Sequence, residues 1–175
     1  MNVILIGARG AGKSKISRSL SKIIELPVVS TDSISVYENG GISIPSYVAK
    51  NGWNEFRNLE YSILKKLENA NGIILDSGGG ILFDLDESGV EIPSIRKIDL
   101  LRKIGRIVYL ERDLEELLEK VKGDTTRPDL SQKSSYRTIL EKRIPTYIEA
   151  AHFKLNVSNI PKDEAAKRIR SWLGI

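Results

Sequence analysis

Residues 7–14 read Gly-Ala-Arg-Gly-Ala-Gly-Lys-Ser and follow directly on the apolar run Val3-Ile4-Leu5-Ile6. The spacing of Gly7, Gly10, Ala11, Gly12, Lys13 and Ser14 matches a loop whose backbone N–H groups, unobstructed by large side chains, converge on an anion at a helix N-terminus. Lys13 would reach the β- and γ-phosphates of a nucleotide, and Ser14 would hold Mg²⁺. Ile16, Leu20, Ile23 and Ile24 then recur at helical spacing, so the loop lies between a strand and a helix, as this chemistry requires.

Two more apolar runs end in carboxylates. Val28-Val29 leads into Ser30-Thr31-Asp32, and Ile73-Ile74-Leu75 leads into Asp76-Ser77-Gly78-Gly79-Gly80. Ligands of an open parallel sheet gather beyond the carboxyl ends of its strands. An acid at a strand end beside a phosphate loop orients Mg²⁺ in this class, which makes Asp76 a metal-side candidate; a helix-cap or turn aspartate is the alternative. Three successive glycines lose much backbone entropy on folding, so Gly78, Gly79 and Gly80 suggest backbone close to a ligand, with a flexible turn as the plain alternative. Asp76-Ser77-Gly78-Gly79 also fits the DxxG element of a GTPase switch, but no NKxD sequence occurs to read guanine.

Five short apolar runs, at 3–6, 28–29, 73–75, 106–110 and 153–157, alternate with helical patterns. The expected fold is three-layer α/β/α, with a five-stranded parallel sheet covered on both faces. A helix over about 53–69 sets Trp53, Phe56, Ile63, Leu64 and Leu67 on one side. Another, over about 134–147, aligns Tyr136, Ile139, Leu140, Arg143 and Tyr147, and the last carries Ala165, Ala166, Ile169, Trp172 and Leu173. Both tryptophans are assigned to packing.

With 175 residues and 41% hydrophobic content, the chain can build one domain with a real core. The absence of cysteine excludes disulfides, thiolate metal sites and a cysteine nucleophile, and is compatible with a reducing cytosol. His152 is the only histidine and has no triad-like partner motif, so it reads as structural. The net charge of +4 is interspersed along the chain. Its densest basic stretch, Arg96-Lys97 with Arg102-Lys103 and Arg106, surrounds Ile98, Leu100, Leu101 and Ile104 and reads as a solvated helix face, not a nucleic-acid footprint. No apolar stretch reaches membrane-spanning length and no export leader is expected at the N-terminus, so the protein is expected in the cytoplasm.

In order and spacing, these motifs resemble those of shikimate kinase, a P-loop kinase with a fold like that of the nucleoside monophosphate kinases. The resemblance runs through Gly7–Ser14, Thr31-Asp32, Gly52-Trp53-Asn54-Glu55-Phe56-Arg57 with Glu60, Gly78-Gly79-Gly80, Thr126-Arg127-Pro128 and Lys142-Arg143-Ile144-Pro145-Thr146-Tyr147. It implies ATP and shikimate as small-molecule substrates, Mg²⁺ as cofactor, and a monomer without nucleic-acid or membrane partners. It also implies a single domain over 1–175, with an acceptor-binding excursion at about 32–62 and a lid at about 121–134.

Site roles follow from the same resemblance. Arg57 and Arg143 would hold the acceptor carboxylate, a task suited to planar guanidinium forks, with Glu60 one helical turn away steadying Arg57. Asp32 and the glycine triplet would take the hydroxyls, Asp32 orienting the reacting one and accepting its proton. A capping aspartate is the alternative reading of Asp32. Val48 and Phe56 would floor the ring, and Arg127 would close over the transferring phosphate. The chain departs from the family at four places: Ser30 replaces the first acid of an Asp-x-Asp, Trp53 a glutamate, Asp129 an apolar residue after Arg-Pro, and Lys120 the basic residue, usually arginine, beside adenine. Asp76 is expected to compensate for the first. Gluconate or a nucleotide as acceptor, and a regulatory module without transfer activity, are the rival readings.

Overall fold

The computed structural model describes residues 1–122 and 135–175. Its first half runs β1 (Val3–Ile6), α1 (Lys13–Ile24), β2 (Val28–Ser30), α2 (Thr31–Glu38), α3 (Ile44–Lys66), β3 (Ile74–Asp76) and the short strands β4 (Phe83–Leu85) and β5 (Glu91–Pro93). The second half runs α4 (Ile95–Ile104), β6 (Arg106–Glu111), α5 (Leu114–Val121), α6 (Tyr136–Ala150), β7 (Phe153–Asn156) and α7 (Lys162–Leu173). The proposed lid arginine Arg127 and Asp129 lie outside the described residues.

Five strands pair in the order β2-β3-β1-β6-β7, all parallel, as the alternation of apolar runs and helices requires. Val3, Ile4, Leu5 and Ile6 are all fully buried, and neighbouring strand residues point to opposite faces, so both faces of the sheet are covered. Helices α1 and α7 pack against each other, as do α3 and α4. Trp172 stacks on Phe153 with centroids 4.9 Å apart, as its packing assignment requires. No helix among the described residues is long and apolar enough to cross a membrane.

Strand register places the chemistry. Asp76 pairs with Leu5 on one side and with Ser30 on the other. The carboxyl ends of β1, β2 and β3 are therefore level, and the phosphate loop, Asp32 and the glycine triplet all emerge at one edge. The chain departs to opposite sides of β1, toward β3 and toward β6, which opens the crevice at that edge.

Two features differ from the sequence expectation. The third helix begins at Ile44, well before Trp53, and bends at Gly52, whose φ of 85° breaks the helical geometry. Ile44, Val48 and Phe56 form a small second core across that bend, with Trp53 packed against it. The antiparallel β4–β5 hairpin was not expected: its strands have only three residues each, and Asp84 and Glu91 interrupt any apolar alternation. Its turn is closed by Asp86, whose Oδ1 accepts from the backbone N–H of Ser88 and of Val90 at 2.9 and 2.8 Å.

Candidate active site

The phosphate loop ends at Gly12, whose φ of 95° lies in the left-handed region open to glycine. It is the N-cap of α1 and offers no side chain to cap the helix, so the first N–H groups stay available to an anion. Lys13 is buried and donates from Nζ to the Gly7 and Ala8 carbonyls at 2.7 and 3.0 Å, which folds the ammonium over its own loop. Lys13, Ser14, Ser30 and Asp76 line one long groove. Arg112 and Lys120 line it too, as does Asn159-Ile160 of the β7–α7 loop, so Lys120 faces the groove as its place in the sequence implies.

Asp32 lines this groove and also a second, smaller cavity. It sits in the first turn of α2, but the N-cap of that helix is Ser30, whose hydroxyl accepts from the Ser33 N–H at 3.3 Å. The capping role is therefore taken by Ser30, and the Asp32 carboxylate is turned to the junction of the two cavities. Asp76 ends a strand and caps no helix, which removes half of its alternative reading.

The glycine triplet is explained by close approach. A Cβ on Gly78 would stand 2.8 Å from Asp32 Oδ1, and one on Gly80 would stand 2.5 Å from Arg57 Nη2. At either distance a side chain would have to push Asp32 or Arg57 aside, so glycine lets both side chains lie against the backbone. The triplet is also pinned: the Gly78 N–H donates to Thr31 Oγ1 at 2.9 Å, and the Tyr147 hydroxyl donates to the Gly79 carbonyl at 2.5 Å. These contacts tie the triplet to α2 and α6, which argues against a flexible turn.

Arg57 and Arg143 are both buried and both line the smaller cavity, together with Trp53, Phe56 and Ile44. Trp53 thus does more than pack, because its ring lies 5.0 Å from the Arg57 guanidinium carbon. Val48 stays in the small core behind this wall and does not line the cavity. Arg57 Nη1 donates to Glu60 Oε2 at 2.9 Å, the helical-turn contact expected. Glu60 Oε2 also accepts from Lys97 Nζ at 3.0 Å, and Lys97 Nζ reaches the Phe83 carbonyl at 2.7 Å.

Arg96, Arg102 and Lys103 are exposed, as a solvated basic face of α4 requires, but Lys97 departs from it and is completely buried. The signal was present in its spacing to Leu100, Leu101 and Ile104, which places it on the apolar side of the helix. Glu91 was also missed. It lies on β5, and its carboxylate takes Arg143 Nε and Nη2 at 2.6 Å each and Arg57 Nη2 at 3.1 Å. Arg9 lines both cavities and was likewise not singled out. His152 is structural as expected, its Nδ1 accepting from the Ile107 N–H at 2.9 Å.

Burial pushes the Glu60 carboxyl up, but the charges and hydrogen bonds of Arg57 and Lys97 outweigh it and hold it below its ordinary value of 4.5. A carboxyl with a depressed folded value contributes stability above its unfolded value and loses it as pH falls through the folded one. Glu60→Gln should therefore be less stable than the native chain at pH 7 by about 3–5 kcal/mol, and the gap should close as pH is lowered below about 4.5. Urea unfolding from pH 7 to pH 3 measures this; a pH-independent gap would mean that Glu60 contributes by packing alone.

The family model for shikimate kinase matches residues 9–174. The chain is 73% identical over 175 residues to a shikimate kinase of Leptospira biflexa serovar Patoc, covering 100% of this chain and 97% of that protein. It is 54% identical over 170 residues to a shikimate kinase of Leptospira borgpetersenii serovar Hardjo-bovis, covering 96% and 95%. Its fold matches that of a shikimate kinase from Acinetobacter baumannii, solved in complex with shikimate, with a TM-score of 0.86, 26% identity, and 98% and 92% of the two chains covered.

Proposed function

The chain belongs to the shikimate kinase family, an ATP-dependent kinase acting on shikimate, and we propose that its residues transfer the γ-phosphoryl group of ATP to the 3-hydroxyl in the roles that follow. The observation that carries this assignment is Asp32, which borders both the phosphate groove and the arginine-lined cavity. An acceptor held by its carboxylate at Arg57 and Arg143 presents its hydroxyls toward that junction. Asp32 orients the reacting hydroxyl and accepts its proton as the oxygen bonds to the γ-phosphorus and the bond to ADP breaks. Lys13 leaves its loop carbonyls for the phosphates and spreads the charge that develops there. Arg127 is assigned to the same charge from the lid.

Ser14 and Asp76 are the oxygen donors suited to Mg²⁺, which typically takes one or two protein ligands and fills its shell with phosphate and water. The donor set fits: both residues line the groove, and no cluster of three or more acidic or histidine ligands competes among the described residues. The bound ion would supply charge neutralisation across the β- and γ-phosphates. The working form is proposed to be a cytoplasmic monomer of one domain.

The experiment is ADP release from MgATP with shikimate, gluconate, nucleoside monophosphates or no acceptor. Release only with shikimate is expected. Release with a different acceptor would keep the kinase and overturn the specificity, and ATP binding without release would point to a regulatory module.

A further inference from the structure

Glu91 makes, within the protein, the contacts that an acceptor carboxylate would need. Its two oxygens occupy the Nε–Nη2 edge of Arg143 as a bidentate pair, and Oε1 bridges to Arg57. A guanidinium edge accommodates one carboxylate in this planar fashion. A second carboxylate can gain the same edge only if the first withdraws.

Three observations indicate that Glu91 is the group able to withdraw. The arginine side chains are 3–4% exposed, whereas that of Glu91 is 22% exposed. Arg57 and Arg143 stand on long helices, α3 and α6, while Glu91 stands on a two-stranded hairpin outside the main sheet. The flanking residues Val90 and Ile92 are exposed, so little apolar burial anchors this strand. The arginines are also not saturated: Arg57 Nε is buried without a hydrogen-bond partner among the described residues, although its side chain faces the cavity.

We propose that Glu91 is a specificity-determining residue, a resident carboxylate that holds the Arg57–Arg143 fork until the acceptor's own carboxylate replaces it. The exchange keeps both guanidinium groups neutralised throughout. It also raises the apparent dissociation constant of the acceptor by the reciprocal of the fraction of time the fork is empty. An acceptor without a carboxylate cannot make the exchange, because evicting Glu91 would leave the buried Arg143 without its carboxylate and Arg57 with Glu60 alone.

This inference rests on the proposed acceptor role of the arginine pair, and the test separates the two. Calorimetric titration with shikimate is made on the native chain, Glu91→Gln and Glu91→Asp, with an ATP analogue as the second titrant. Glu91→Gln, which keeps the shape and removes the charge, should bind shikimate about tenfold more tightly, as follows if Glu91 fills the fork for nine-tenths of the time. Glu91→Asp, drawn back by one methylene, should move the same way by less, and it serves if the glutamine variant is too unstable to titrate. The methyl ester of shikimate should show no such gain, and the affinity for the ATP analogue should stay put in both variants. Weaker or unchanged shikimate binding in the variants would overturn the proposal and make Glu91 a buttress. No binding of shikimate to the native chain would instead sink the acceptor reading itself.

Discussion

Asp32→Asn should lower kcat for shikimate phosphorylation by about 10²–10⁴-fold while shifting shikimate binding far less. Asparagine keeps the size and hydrogen-bonding reach of aspartate but is a far weaker base, so what it removes is acceptance of the hydroxyl proton. The geometry makes this a clean test. Ser30, not Asp32, caps α2, so the substitution does not unravel the helix that carries the site. The absent Cβ of Gly78 leaves room for an amide as readily as for a carboxylate. Rapid-quench measurement of a single turnover, beside an equilibrium titration with shikimate, separates the two quantities. Equal losses in both would mean that Asp32 only binds the acceptor, and an unchanged single-turnover rate would remove it from the chemistry.

The layout of the site was legible because its parts lie at strand ends, where sequence order and spatial position coincide. Once Val3–Ile6 is read as a strand, the phosphate loop, Asp32, Asp76 and the glycines must emerge at one edge of a parallel sheet, and the observed register puts them there. The five strands and the helices around them were legible for the same reason, since buried parallel strands read as continuous apolar runs. What supports the arginines was not legible. Glu91 lies 34 positions from Arg57 and 52 from Arg143, on a strand too short to show a period. The burial of Lys97 depends on three oxygens from two other elements: those of Glu60, Asp84 and the Phe83 backbone. A buried cation reads as a surface residue in sequence until its partners are known, because its type favours water and only its helical phase argues otherwise. Similarly, Tyr147 was legible as a packing residue, while its hydroxyl, which fixes the Gly79 carbonyl, depends on a contact across 68 positions.

Arg143→Ala should weaken shikimate binding by about 2–5 kcal/mol, roughly thirty-fold to several thousand-fold, and leave the binding of an ATP analogue within about threefold. The loss has two sources that a single variant cannot separate. The acceptor carboxylate loses its bidentate partner, and in the free protein Glu91 loses both of its short contacts and keeps only Arg57 at 3.1 Å. The second source is a stability effect, because a carboxylate left half-paired in a largely buried cluster destabilises the fold. Adding Glu91→Ala to Arg143→Ala separates them: the double variant should recover much of the lost unfolding free energy, since the stranded charge is gone, but of the acceptor affinity only the small part that Glu91 masked at Arg57, not the part supplied by the bidentate Arg143 edge. Arg143→Lys should not rescue binding either. It restores the charge, but an ammonium offers no planar two-donor edge, and Arg143 uses two such donors on Glu91 at 2.6 Å. If the lysine variant bound shikimate as the native chain does, charge alone would explain recognition. The geometric matching of carboxylate to fork, on which both the acceptor assignment and the role of Glu91 depend, would then have to be given up.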